Sequence, residues 1–244
     1  AGAQVRFLHT EQFRSMSAEE LAGQYPVLVA ASQFVASGHD LARMARYAEH
    51  GGTLVMGPRT GYGDLEARAR HAVAPYRLHD AAGLTYEEFS NLDAPLALIG
   101  EGMELSEGAR ATRWLDGYLP TDAEVLVRYD HRRFGDFAAV TRRRHGDGSV
   151  VGVGTVPNPA LAEDLFRMLV PSPKAGEWAR DEPVTVMSGQ SDGRRIWFLH
   201  NWSEDPAAAT VPHAVMDLVS GAKHRAGAAL ELAPWSCQVL ADPA

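Results

Sequence analysis

One cysteine, Cys237, is all that 244 residues contain. That excludes an internal disulfide and any metal site built on cysteines. Long apolar runs are missing as well, since none approaches the ~20 residues that span a bilayer. There is no signal peptide, and the expected location is the cytoplasm. Positive charge is in deficit: 23 Lys and Arg stand against 31 Asp and Glu, for a net charge of −8. Such a balance argues against a nucleic-acid or anionic-membrane partner. The chain has no G-x-S-x-G elbow and no H-E-x-x-H pair, and its glycine loops lack both the third glycine of the dinucleotide fingerprint and a Gly-Lys-Ser/Thr end. It opens at Ala1 rather than Met, so Ala1 is expected to be either a processing site or a cut inside something longer. What remains is an ordinary globular composition, 45% hydrophobic and 22% charged, enough for one large or two modest domains.

The most informative stretch runs from Tyr25 to Asp64. Val27 to Ala31 is a continuous apolar run, as expected of a strand covered on both faces. Ser37 caps a helix, with Asp40 as a short capping-box partner. Leu41, Met44, Ala45 and Ala48 fall on one face of that helix. Gly51 and Gly52 end it, and Thr53 to Met56 makes a second buried strand. This is a βαβ unit with a right-handed crossover. The loop that follows, Gly57 to Asp64, lies at the carboxyl edge of a parallel sheet, where α/β folds place their sites.

Elsewhere the pattern predicts a short strand at Val5 to His9 and a helical turn at Ser17 to Gly23. Asp64 is read as capping a helix that carries Leu65, Ala69 and Val73, and Ala111 to Tyr118 as a short helix around Trp114. Gly83 to Tyr86 is a candidate short strand. Strands follow at Glu124 to Tyr129 and Phe137 to Arg142, and His145 to Gly148 turns the second into a hairpin. Asn158 and Pro159 start a helix in the order cap, then proline. Pro171 to Pro183 holds three prolines and little periodicity, so the expected division is 1–172, a linker at 173–183, and 184–244. The last part shows short strands spaced by turns, the mark of a small antiparallel β-sandwich.

The catalytic inventory is nearly empty. Glu19-Glu20 and Glu87-Glu88 are adjacent and do not face one another. Asp64 and Glu66 are better placed, although capping and dipole pairing explain them as well. The ten histidines form no ligand pattern. The loops Gly57–Gly63 and Gly152–Pro157 have the geometry to hold an anion, but tight packing explains them equally. Arg142 to Arg144, with Arg132 and Arg133, read as a solvated hairpin face or a protein contact. Cys237 reads as a small buried residue. Trp197, Trp202 and Trp235 are candidate sugar platforms, with core packing as the default. No catalytic residue, metal or cofactor is assigned.

The stretch YPVLVAASQFV…LARMARYAEHGGTLVMGPRTGYGD resembles the trimerisation domain of glycoside hydrolase family 42 β-galactosidases. Leu21, Tyr25, Val27 to Val29, Tyr47, Gly51, Gly52, Val55, Thr60, Gly61 and Asp64 carry the likeness. Trp114 to Tyr129, Phe137 to Thr155, Phe198 to Asn201, Asp217 to Gly221 and Leu232 to Leu240 extend it over nearly the whole chain. The resemblance implies an α/β domain, a flavodoxin-like three-layer sandwich of the class I glutamine-amidotransferase type, followed by a small antiparallel β-sandwich. It implies a homotrimer that packs against the parent's catalytic (β/α)8 barrel. In the family that barrel carries both catalytic glutamates. No barrel is encoded here, and no glutamate of this chain matches either one. The family domain's first strand and helix have no counterpart either. Where the amidotransferase cysteine would stand there is Arg59 or Thr60, which rules out glutamine hydrolysis by this loop. The implied role is a non-catalytic assembly portion of a β-galactosidase, with Arg59, Thr60, Tyr62, Asp64 and Glu66 as the loop facing the barrel or a subunit interface. A stand-alone carbohydrate-binding module is the alternative. A small hydrolase using an amidotransferase-like pocket ranks last, for want of a nucleophile.

Overall fold

The computed structural model describes residues 4–171 and 173–243. It falls into two compact units. One is Leu8–Leu169; the other is Val170–Ala244 with the N-terminal segment up to Phe7.

The larger unit opens with α1 (Thr10–Ser15) and α2 (Ala18–Gln24), each started by a reciprocal capping box, His9 with Gln12 and Ser17 with Glu20. β1 (Val27–Ala30), α3 (Gly38–Glu49) and β2 (Thr53–Met56) then form the expected βαβ unit, with β1 and β2 parallel and Val27 opposite Thr53. Ser37 Oγ accepts from the Asp40 N–H at 3.0 Å and donates to its carboxylate at 2.7 Å. Arg14 grips the same carboxylate at 2.9 and 2.7 Å, which ties α1 to α3 and pulls the Asp40 carboxyl below the usual range. Gly51 ends α3 at φ 99°, a conformation that costs glycine nothing.

After α4 (His79–Ala82) the chain is mostly strand: β3 (Leu84–Thr85), β4 (Phe89–Gly100), β5 (Arg110–Asp116), β6 (Leu119–Pro120), β7 (Glu124–Tyr129), β8 (Ala138–His145), β9 (Gly148–Val153) and β10 (Thr155–Pro157). α5 (Pro159–Leu169) closes the unit. Asn158 Oδ1 accepts from the Leu161 N–H at 3.0 Å, as a cap should. The main sheet has eight strands in the order β1-β2-β9-β8-β7-β4-β5-β10. β1, β2 and β9 are parallel; every pairing from β9 outward to β10 is antiparallel. The fold is thus a mixed sheet with few helices. Side chains alternate across it: Leu54 and Met56 join Leu41, Met44 and Tyr47 in one apolar cluster, while Val55 joins Val151, Val153, Leu161 and Leu165 in another.

Four sequence expectations need correction here. Val5 to His9 is not a strand, and Phe7 is 93% exposed. β1, the edge strand of the sheet, is covered incompletely: Leu28 and Ala30 join one cluster and Val27 packs on the other, but Val29 on the same face as Val27 is 57% exposed. Asp64 caps no helix. Its carboxylate accepts from the Glu66 and Arg68 N–H groups at 2.9 and 3.0 Å, closing a turn in which Ala67 has φ 60°. A carboxylate that satisfies local amides in this way competes with helix formation. Ala111 to Tyr118 is strand β5 with its following turn. Ala111, Leu115 and Tyr118 mimic helical spacing, yet the ladders to β4 and β10 override that local period.

The second unit contains β11 (Ala179–Arg180), β12 (Val184–Ser191), β13 (Arg194–Asn201), β14 (Ala207–Thr210), β15 (Val215–Asp217), β16 (Lys223–His224), β17 (Ala229–Leu232) and β18 (Cys237–Ala241). These make two antiparallel sheets, β11-β14-β17 and β12-β13-β18-β15-β16. Asp192 and Gly193, both at positive φ, form the two-residue turn between β12 and β13. One apolar cluster draws on both sheets and includes Trp178, Trp197, Leu199, Leu230 and Leu240.

Candidate functional site

The loop after β2 lies where the parallel strands end. It packs on the loop after β1 through backbone bonds from Gly61 N to Gln33 O and Gly63 N to Phe34 O, each 3.0 Å. Thr60 is fully buried. Its hydroxyl donates to Gly57 O at 2.7 Å, and its own carbonyl accepts from the Tyr86 hydroxyl at 2.8 Å. Thr60 is therefore a structural tie with no base beside it.

Arg59 lies in this loop with φ 59°. Such a conformation strains any side chain but glycine. It is held by Asp116 at the end of β5, whose Oδ2 accepts from the Arg59 N–H at 2.7 Å. The other oxygen, Oδ1, accepts from the Trp114 indole at 2.8 Å. Asp116 is fully buried, and burial pushes its carboxyl up to about 6 against the pull of those bonds. Around it lie the phenols of Tyr86, Tyr118 and Tyr129, all raised by burial. Tyr129 donates to the Asp116 and Gly154 carbonyls at 3.1 and 3.0 Å.

The Arg59 guanidinium is enclosed by rings. Its carbon lies 4.3 Å from the centroid of Phe34, 5.0 Å from Trp114, 5.1 Å from Tyr62 and 5.4 Å from Phe89. The rings also brace one another: Tyr62 stacks on Phe34, Phe89 meets Tyr62 edge-on, and Trp114 stacks on Phe89. Each contact of this kind is worth about 0.5–1 kcal/mol where exposed and more where desolvated.

The structure thus brings Arg59, Thr60 and Tyr62 together and leaves Asp64 and Glu66 further along the turn, paired with Arg68 at 3.1 and 2.8 Å. Two open clefts flank that turn, one of about 470 Å³ beside Asp64, Arg68, Arg70 and Tyr76, the other beside Ser37, Asp64, Glu66 and Arg70. The aromatic enclosure and Asp116 were not foreseen. Their signal was faint: an acid following Trp and Leu in the apolar segment Trp114-Leu115-Asp116.

In the second unit, Trp197 is fully buried and its indole donates to Asp242 at 2.8 Å, so it is a core residue and not a platform. Trp202 and Trp235 are 57% and 64% exposed, and Trp202 stacks on His200. Cys237, expected inside, is exposed on β18, with Sγ 3.9 Å from His200 Nε2. Among the described residues, no three of His, Cys, Asp and Glu gather as metal ligands, and no helix is long and apolar enough to cross a membrane.

Residues 12–174 match the model of the beta-galactosidase trimerisation domain. The chain belongs to that family. It is a non-catalytic part of family 42 enzymes. Beta-galactosidase Bga of Halorubrum lacusprofundi is 31% identical over 190 residues, covering 72% of this chain and 26% of that protein. BgaH of Haloferax lucentense is 29% identical over 205 residues, covering 81% of this chain and 29% of that one. BgaA of Clostridium cellulovorans is 27% identical over 151 residues, 62% of this chain and 23% of that protein. The trimerisation-domain chain therefore spans roughly a quarter of the curated relatives it matches. Two solved β-galactosidases share the fold: one from Bacillus circulans sp. alkalophilus (TM-score 0.83, 18% identity, 93% of this chain and 34% of that one) and one from Rahnella sp. R3 (TM-score 0.80, 21% identity, 97% and 37%).

Proposed function

We propose that this chain is the assembly portion of a β-galactosidase, holding three copies together and packing against a barrel that hydrolyses terminal β-galactosides. The family match over residues 12–174 carries this reading. The geometry of the loop supports it: Arg59 keeps a strained backbone but presents a guanidinium where a nucleophile would be needed. The loop Arg59 to Glu66 is read as the face turned toward the barrel or a neighbouring subunit. The parallel triplet β1, β2 and β9, with helices contributing to the clusters on both faces, is read as the flavodoxin-like, amidotransferase-like part of the unit. The reading places the protein in the cytoplasm, with 1–172 and 184–244 as its working domains.

A chimaera tests it. The corresponding segment of the H. lacusprofundi enzyme is replaced by this chain, and mass and hydrolysis of a nitrophenyl β-galactoside are measured. A trimer with activity is expected, and the isolated chain is expected to hydrolyse nothing. Activity from the isolated chain, or a monomeric chimaera, would sink the proposal.

A further inference from the structure

The Arg59 guanidinium makes no direct ion pair among the described residues, although the buried Asp116 carboxylate acts on it through space. No carboxylate lies within ion-pair distance of it among the described residues, although arginines such as Arg14, Arg68 and Arg143 find such partners there. The nearest acid, Asp116, has committed one oxygen to the Arg59 backbone N–H and the other to the Trp114 indole. Four rings line the half-buried cation, and its Nε is buried with no hydrogen-bond partner among the described residues. A desolvated donor left unmatched costs stability. Cation–π contacts offset the charge but satisfy no N–H. The fixed backbone and the stacked rings also hold the planar fork in place before any partner arrives, which lowers the entropy lost on binding.

We propose that Arg59 is a docking point for a carboxylate side chain from a second copy of this chain, a proposal that rests on the assembly reading above. A bidentate carboxylate at an aromatic-rimmed spot supplies acceptors to the terminal nitrogens of the fork, the buried Nε being out of an outside partner's reach. A small free acid fits less well, because Arg59 lines neither of the two clefts beside the loop. A protein surface brings its own cover. The chain's surface is rich in suitable acids, with 31 Asp and Glu and a net charge of −8. Such a contact is heterologous: the arginine patch of one copy meets an acidic patch of the next, and three such contacts close a ring.

The test is the trimer–monomer equilibrium by sedimentation equilibrium for wild type, Arg59→Gln, Arg59→Lys and Arg59→Gly. Glycine accepts φ 59° without strain and keeps the N–H that bonds Asp116, so Arg59→Gly separates loss of contact from loss of fold. The glutamine and glycine variants are expected to raise the dissociation constant about tenfold or more, with lysine in between because it lacks the fork. Unchanged association in Arg59→Gly, with its melting curve intact, overturns the proposal and leaves the assembly reading standing. A wild-type chain that is monomeric throughout overturns the proposal together with the assembly reading on which it rests. Weakened association that free acetate reproduces in the wild type supports it. Acetate binding at Arg59 without any effect on association assigns the site to a free acid and overturns it.

Discussion

Asp116→Asn is expected to flatten the pH dependence of stability between pH 4 and 6. Burial raises the Asp116 carboxyl to about 6 in the folded unit, against 3.8 when exposed. Between those values the folded state holds a proton that the unfolded state has released. Stability from this group is therefore fully present below about pH 3.8 and is lost as pH rises through about 6. A shift of this size corresponds to about 3 kcal/mol. Asparagine is neutral like the protonated acid and so loses the titration, but its amide nitrogen cannot accept, so one of the two N–H donors loses its partner; the flattened pH profile, and not a net gain, is the expected signature. Urea unfolding at pH 4, 5.5 and 7 measures it, and parallel curves for the two proteins would refute the assignment. Asp116→Ala separates charge from bonding. It leaves the Arg59 amide and the Trp114 indole without acceptors, and should be about 2–3 kcal/mol less stable than the asparagine variant at pH 7.

Gly57→Ala is expected to be the most damaging single methyl group in the chain. An added Cβ would stand 1.7 Å from the Ala31 carbonyl oxygen and 2.5 Å from its carbon. Both are backbone atoms, so no rotamer change relieves the clash. Gly57 N also donates to Ala30 O at 2.9 Å, which locks the loop after β2 onto the end of β1. The variant should lose about 3 kcal/mol or more in urea unfolding, at the upper end of overpacking costs. Gly23→Ala is the control: it lies exposed in α2 with nothing within 4 Å of the added atom, and should gain up to about 1 kcal/mol. Equal effects from the two substitutions would mean that the close approach of the two loops is not as described.

What was legible in the chain is what local chemistry decides. Ser37 with Asp40, the apolar face from Leu41 to Ala48, Gly51 and the run Thr53 to Met56 marked the βαβ unit almost residue by residue. The cap at Asn158 and the hairpin at His145 to Gly148 were equally local. Failure came where distant pairing decides. β5 is a strand because β4 and β10 flank it, and nothing within Arg110 to Asp116 announces those partners. Asp64 failed differently: a carboxylate that can cap a helix can also close a turn, and Ala67 at positive φ selected the turn.

The site divides along the same line. Arg59 and its loop were placed by the end of a strand. Beyond Tyr62 of the same loop its surroundings were not, because Phe34, Phe89 and Trp114 come from separate segments that only the assembled sheet brings within about 5 Å of one cation. The same holds for Trp197, which belongs to the core only because Asp242 arrives from the far end of β18 to accept its indole N–H.

The most direct test of the central claim is the mass of the wild-type chain in solution, by light scattering after size exclusion across a wide concentration range. The account predicts three times the chain mass. A single-chain mass at every concentration would contradict it, because the contacts that assemble the protein would then lie outside these residues.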